Sequence, residues 1–226
     1  MGVKKYENGV ELTLHPEALA EPFKWRKPTL VFTNSMSDFF HERIPFEFID
    51  DVIQVIRQTP QHRYQVLTKR SWRMMKYGER IGRFPDNVWL GVSVAIPEAK
   101  FRVEHLQKCD VRTRFLSVEP LLSPLGKLDL TGIDWVICGG ESGRHLLDSQ
   151  TRRHRALVDL VDNKWIPHQD KVAWVSEIRD QCAMAGVPFF FKQWGGIKPK
   201  SGGRLLDGRE WNEFPRMEPL LLATRR

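Results

Sequence analysis

No apolar run in these 226 residues approaches the ~20 that a membrane-spanning helix requires, and Met1 to Lys27 is polar, without the hydrophobic core of a secretory signal. No membrane partner is expected, and the expected location is cytoplasmic. Cysteine is scarce: the three residues, Cys109, Cys138 and Cys182, are odd in number and far apart. That spacing excludes a disulfide framework and any zinc or iron-sulfur site built from local cysteine motifs, so no metal ligands are assigned. Cys138 and Cys182 lie in apolar settings and read as core residues. Internal repeats and low-complexity tracts are also missing.

What is present is an ordinary globular balance, 41% hydrophobic and 28% charged residues, in a chain long enough to bury a sizeable core. The formal charge is +7 and is unevenly spread. Between Arg63 and Arg83 seven basic residues face one acid, Glu79. A second cluster gathers Arg144, His145, Arg152, Arg153, His154 and Arg155. Basic clusters suit nucleic acid or phosphate, and a solvated helix face accounts for them equally well.

A repeating grammar runs along the chain. Leu30-Val-Phe-Thr33 leads into Asn34-Ser-Met-Ser-Asp38, and a helix follows with Phe48, Ile49, Val52, Ile53 and Ile56 on one face between Pro45 and Pro60. Tyr64-Gln-Val-Leu67 leads into Thr68-Lys69-Arg70 and a short basic helix to about Arg80. Val88-Trp-Leu-Gly-Val92 leads into Ser93, with a helix from Pro97 to Lys108. Arg114-Phe-Leu-Ser-Val118 leads into Glu119-Pro120, and Leu121 to Thr131, broken by Pro124 and Gly126, reads as a loop. Ile133 to Cys138 stops in Gly139-Gly140-Glu141-Ser142-Gly143. A helix from Asp170, as N-cap, to Ala185 puts Val175, Ile178 and Cys182 inward and ends at Gly186, and Val187-Pro-Phe-Phe-Phe191 leads into Lys192-Gln193. A short alternating segment, Val10 to Leu14, reads as a further strand.

Strands alternating with helices imply a parallel sheet. The expected fold is α/β, a parallel (β/α) partial TIM-like barrel of about six strands over residues 1–195, with an insertion at 146–169 on its surface or mouth and a C-terminal extension over 196–226. An open doubly wound sheet is the alternative. In a barrel the active groups collect at the strands' C-terminal ends. Those ends carry Asn34, Asp38, Thr68, Lys69, Ser93, Glu119, Glu141, Lys192 and Gln193. Gly203 to Gly208 contains an Asp-Gly hairpin turn, and Leu220 to Arg226 is expected to fray.

Seven blocks together carry a resemblance: Asn34-Ser-Met-Ser-Asp-Phe-Phe-His41, Gln65-Val-Leu-Thr-Lys-Arg70, Asn87-Val-Trp-Leu-Gly-Val-Ser93, Arg114-Phe-Leu-Ser-Val-Glu-Pro-Leu121, Asp134 to Gly143, Ile178-Arg-Asp-Gln-Cys182 and Pro188-Phe-Phe-Phe-Lys-Gln-Trp-Gly195. Over roughly Val10 to Phe214 the chain resembles the phage and bacterial three-cysteine-motif proteins, a functionally uncharacterised family that looks like a divergent branch of the radical S-adenosylmethionine barrels.

The resemblance implies S-adenosylmethionine as cofactor, with Gly139, Gly140, Glu141 and Ser142 beneath adenosine and Glu141 on the ribose hydroxyls. Asn34, Asp38 and Ser93 complete the implied cofactor set, and Lys69, Glu119 and Lys192 would face substrate as catalytic groups. Typical members carry an N-terminal Trp-Asn-Pro strand and a loop of three cysteines that would ligate a [4Fe-4S] cluster. The chain as given starts after that loop, so a cluster is expected only if such a segment is restored. The insertion at 146–169 is a second departure. Some relatives occur beside a separately encoded partner protein, which the resemblance extends to this chain.

Two function classes follow. One is an enzyme-type barrel that binds S-adenosylmethionine but lacks the cluster cysteines, and so is truncated or non-radical. The other is a phage or mobile-element accessory protein that contacts nucleic acid or a partner through Arg70, Arg73, Lys76, Arg80 and Arg83, with Trp72 exposed beside them. The competing reading of each charged group at the mouth is an ion pair closing the barrel top.

Overall fold

A computed structural model describes residues 12–33 and 37–216. Asn34 and the first two residues of the expected Val10 to Leu14 strand lie outside those residues, as do Leu220 to Arg226. Leu12 to Leu14 carries no strand.

Six strands, β1 (Leu30–Thr33), β2 (Arg63–Thr68), β3 (Val88–Ser93), β4 (Thr113–Val118), β5 (Trp135–Gly139) and β8 (Phe189–Gln193), form one sheet in the order of the chain. Every pairing is parallel. Right-handed crossovers between strands laid down in one direction all carry their helices to the same face. A doubly wound sheet needs its order to reverse, and here it does not. The sheet therefore curls into an open half-barrel: Phe32 of β1 and Phe190 of β8, on opposite edges, line the same cavity.

The outer face takes α1 (Phe46–Gln58), α2 (Ser71–Ile81), α3 (Phe101–Gln107) and α5 (Gln169–Ala185). Ile49, Ile53 and Ile56 of α1, Met74 and Tyr77 of α2, Val103 and Leu106 of α3, and Val175, Ile178 and Cys182 of α5 share one core with the outward strand residues. In α5 the expected cap moves by two residues. His168 occupies the N-cap position without a side-chain bond, and Asp170 lies in the first turn. Gly186 ends the helix in the left-handed conformation, as its position predicts.

Between β4 and β5 no helix forms. Buried Leu121, Leu125, Leu128 and Leu130 cover the sheet as an extended strap instead. Lys100 Nζ holds the strap by donating to the Leu125 and Lys127 carbonyls, and Gln181 bonds Leu128 N and the Gly126 carbonyl.

The insertion contains a 3-10 turn (Arg144–Leu147), α4 (Ser149–Arg155) and the antiparallel hairpin of β6 (Val158–Val161) with β7 (Lys164–Pro167). Asp162 and Asn163, both at positive φ, make its two-residue turn. Buried Lys171 of α5 donates to the Arg153 and Ala156 carbonyls and so fastens the end of α4. Beyond β8 the chain folds back antiparallel along its free edge, where Phe191 N donates to the Trp211 carbonyl and Glu213 N to the Phe189 carbonyl. Asp207-Gly208 forms the hairpin turn that the sequence predicts, closed by Leu206 and Arg209. No helix among the described residues is long and apolar enough to cross a membrane.

At the N-terminal end of the sheet, Asn87 is buried and its amide nitrogen lies 3.0, 3.3 and 3.0 Å from the carbonyls of Ile56, Thr59 and His62. One side chain thus ties the α1 end and the loop into β2 to the start of β3. Asn87→Ala leaves those carbonyls without a buried donor, and we expect a loss of about 2 kcal/mol of stability, measured as a lowered denaturant midpoint with unchanged slope.

Candidate functional site

Alternation along the strands gives the half-barrel an inner face of its own. Trp89, Phe115 and Trp135 form its buried floor, with Leu67, Ile137 and Phe190 packed against them. Gly91 belongs to this face because Phe115 lies across it: a Cβ there would sit 2.4–2.6 Å from three adjacent ring atoms. Above the floor is a cavity of about 450 Å³, walled by Phe32, Leu67, Ile137 and Phe190 and edged by Gln65, Ser117, Glu119, Lys192, Lys200 and Arg204. It lies within the size range of small-molecule sites.

Parallel strands put every strand-to-loop junction at one end, so Asp38, Lys69, Ser93, Glu119, Glu141 and Lys192 share the mouth of the half-barrel. Their surroundings differ. Asp38 stitches two loops together: Oδ1 accepts from Thr68 Oγ1 at 2.6 Å and Phe40 N at 3.0 Å, and Oδ2 accepts from Lys69 N at 2.9 Å. Lys69 extends an exposed amine with no partner among the described residues. Glu119 meets Lys192 Nζ at 2.9 Å, an ion pair at the rim of the cavity, and Gln193 Nε2 stands 3.5 Å from the same carboxylate. Gly139 makes room for that carboxylate, since a Cβ there would lie 3.3 Å from it.

Gly140 and Glu141 interlock with the loop after β8. A Cβ at Gly140 would stand 2.0 Å from the Trp194 carbonyl oxygen, and one at Gly195 2.0 Å from that of Glu141. Gly140 N donates to the Gln193 carbonyl, Gly196 N to Glu141 and Gly143 N to Gly196, and Ser142 bridges Gly196. The glycines expected beneath adenosine are thus packed against protein. The Glu141 side chain turns to the insertion: Arg155 donates to its two oxygens at 2.7 and 3.0 Å, and His145 lies 3.2 Å away.

Ser93 stands apart. It is only 2% exposed and its Oγ has no partner, while its carbonyl accepts from Arg102 Nη1 at 2.7 Å. Arg102 Nε is likewise buried without a partner, and burial pushes this guanidinium's pKa down, with Asp38 opposing the shift. On the neighbouring strand Ser117 sits in register with Ser93, faces the same way and lines the cavity. Sequence reasoning missed Arg102, Gln65, Ser117, Phe32, Phe190, Lys200 and Arg204. Period-two alternation through the strand runs would have found four of them, Phe32, Gln65, Ser117 and Phe190. Nothing local marks Lys200 and Arg204, which the chain returns to the rim after β8.

A family model described as protein of unknown function (DUF5131) matches residues 1–171 and 167–215. The chain belongs to this family. No curated protein and no solved structure matches it.

In this DUF5131 chain Lys76, Arg80 and Arg83 are exposed, as expected, and each is paired with a carboxylate. Arg73 is half-buried, 4.3 Å above the Phe46 ring, and donates to the Glu42 and Ile44 carbonyls. Lys76 pairs with Glu79 at 2.8 Å, Arg80 with Asp50 at 2.6 Å, Arg83 with Asp86 at 3.0 Å, and Arg70 lies 3.4 Å from Asp38. Arg73 was expected in solvent. The Phe46 ring and the loop ending at Ile44 bring it inward instead. Trp72 is exposed, as expected.

The three cysteines do not form a cluster site. Cys109 lies beyond α3, and Cys138 on β5 faces Cys182 on α5 within electrostatic reach. Among the described residues no group of three or more histidines, cysteines or carboxylates is placed to hold a metal ion. Burial pushes the thiols of Cys109 and Cys182 up to about 12, and Cys138 well above its ordinary value.

Between the ordinary thiol value of 9.0 and about 12 the unfolded chain loses these protons while the folded chain keeps them. Stability should therefore be fully present below pH ~9 and fall as pH rises toward ~12, and replacing all three cysteines by alanine should flatten that slope in denaturant titrations. At the mouth, Arg155→Ala frees the insertion from Glu141, and we expect roughly threefold faster trypsin nicking after Arg152 or Arg153 of the native protein, in keeping with a half-exposed ion pair.

Proposed function

We propose that this chain is an enzyme-type half-barrel that binds S-adenosylmethionine across the C-terminal ends of β3 to β5 and holds its substrate in the concave cavity below. The observation that carries the reading is the under-satisfied polar group at the top of β3. Among the described residues a buried hydroxyl on Ser93 and a buried Nε on Arg102 stand without partners, and Ser93 is in register with Ser117, which lines the cavity. Buried polar groups are ordinarily bonded, and such a pair suits a carboxylate.

Ser93 and Arg102 would take the cofactor's carboxylate and Glu119 its ammonium, with adenine against the Leu67 and Ile137 wall. This shifts adenosine away from the Gly139–Glu141 backbone, whose groups are already bonded: Leu121 N reaches the Gly139 carbonyl, and Gly140 N and the Glu141 carbonyl are paired with the β8 loop. When bound, the cofactor supplies an activated sulfonium. Lys192 holds a proton at the rim against Glu119, and the aromatic floor keeps water from the inner end of the cavity. Cys109, Cys138 and Cys182 do not fit an iron-sulfur cluster.

The test is calorimetric titration with S-adenosylmethionine, S-adenosylhomocysteine and methylthioadenosine. Saturable binding of the first two is expected, weakened about tenfold by Ser93→Ala with Arg102→Met. Methylthioadenosine, which lacks the carboxylate, should bind more weakly and ignore the substitutions. Absence of saturable binding by both carboxylate-bearing ligands would sink the reading.

A further inference from the structure

Resting on the reading of the concave cavity as the ligand site, we infer that the substrate held there is a nucleoside monophosphate unit, its base between Phe32 and Phe190 and its phosphate on Lys200 and Arg204. Three independent features of the cavity point the same way.

The first is shape. Phe32 comes from one edge of the curled sheet and Phe190 from the other, and both remain partly open to the cavity along with Leu67 and Ile137. Two aromatic side chains from opposite edges, over a floor already filled by Phe115 and Trp135, leave a slot suited to a flat ring.

The second is the inner polarity. Gln65 is 9% exposed and Ser117 5%, and both line the cavity. Neither side chain has a hydrogen-bond partner among the described residues. A primary amide offers two donors and an acceptor in one plane, and a hydroxyl offers both roles. Those groups match the edge of a heterocyclic base. A plain hydrocarbon ring would leave them unpaired.

The third is charge. Glu119 neutralises Lys192, and Glu210, 3.2 Å from Arg204, offsets that guanidinium. The exposed Lys200 amine has no partner among the described residues, and Arg204 Nε is buried without one. Gln193 Oε1 fixes the Lys200 backbone by accepting from its N–H at 2.9 Å. Arg204 Nη2 donates to Asn212 Oδ1, so the positive excess of the rim lies on the fixed-base Lys200 amine, with the unpartnered Arg204 Nε in the same cavity lining. A phosphate satisfies both.

The same chemistry is found in a free nucleotide and in one nucleotide of a single strand. Fluorescence titration, following Trp89 and Trp135 under the cavity, can separate the two with the four nucleoside monophosphates, the matching nucleosides, inorganic phosphate and a short single-stranded oligonucleotide. At least one monophosphate or the oligonucleotide should bind at least tenfold more tightly than its nucleoside and than phosphate alone. Lys200→Glu, at an exposed position, should weaken that binding about tenfold without lowering the melting temperature. Gln65→Met, a buried swap of similar size, should reduce discrimination among the four bases.

Tighter binding by the oligonucleotide, with a steep salt dependence, identifies nucleic acid as the source. Comparable binding by free monophosphates identifies the metabolite. Equal affinity for nucleoside and monophosphate, no response to Lys200→Glu, or binding of phosphate alone with nucleotide affinity would overturn the inference. The sulfonium ligand separates the two failures: Lys200→Glu should leave S-adenosylmethionine affinity unchanged. If S-adenosylmethionine binds and no nucleotide does, this inference alone fails. If nothing enters the cavity, both fall.

Discussion

Six strands that follow one another in both sequence and space force every crossover onto one face of the sheet, and most of the molecule follows from that. The outer face receives α1, α2, α3, α5 and the leucine strap between β4 and β5, and all of the large apolar core forms there. Among the described residues the inner face receives no helix. Its strands must cover their inner side chains themselves, which is why Trp89, Phe115 and Trp135 close the floor and Gly91 lies under a ring. The cavity is the space that remains because six strands curl without closing.

A second constraint fixes the mouth. The loops after β5 and β8 pass so close that Gly140 and Gly195 each occupy a place where a methyl group would enter the other loop's carbonyl. This backbone interlock holds Lys192 and Gln193 against Glu119 and sends the following chain to the rim, where Lys200 and Arg204 enter the cavity lining. It also aims Glu141 outward to Arg155 and His145, so the insertion is fastened to the same junction. Two features that read separately along the chain, a glycine-rich loop and a basic insertion, are one joint in space.

Charge behaves differently inside this fold than along its sequence. Of the cations from Arg70 to Arg83, each finds a carboxylate or carbonyl, on α1, on a nearby loop or, for Lys76, on α2 itself. Asp38 and Glu141, candidates for ligand contact, are bound up in loop and insertion contacts. Near the mouth and the cavity, the side chains of Ser93, Ser117, Gln65, Lys69 and Lys200 are without partners among the described residues. Because buried polar groups are rarely left unbonded, that remainder carries more information about a ligand than the charge clusters do.

Local periodicity and punctuation determined the element order. The 3.6-residue spacing of Ile49, Ile53 and Ile56, the stop at Gly186, the Asp207-Gly208 turn and the polar residue after each apolar run are local signals, and each depends on neighbours in the chain. Those signals sufficed for an α/β fold with functional groups at one end. They were silent on strand order, which depends on pairings tens of residues apart and which alone separates a half-barrel from a doubly wound sheet. They could not assign partners either. Whether Glu119 is free or paired rests on Lys192, 73 residues away, and whether Arg73 faces solvent rests on a ring and carbonyls near Phe46. The cavity itself was legible only in half. Phe190 and Ser117 alternate within their strands, but that Phe32 and Phe190, on opposite edges, line one cavity is a property of curvature, and curvature belongs to the whole sheet.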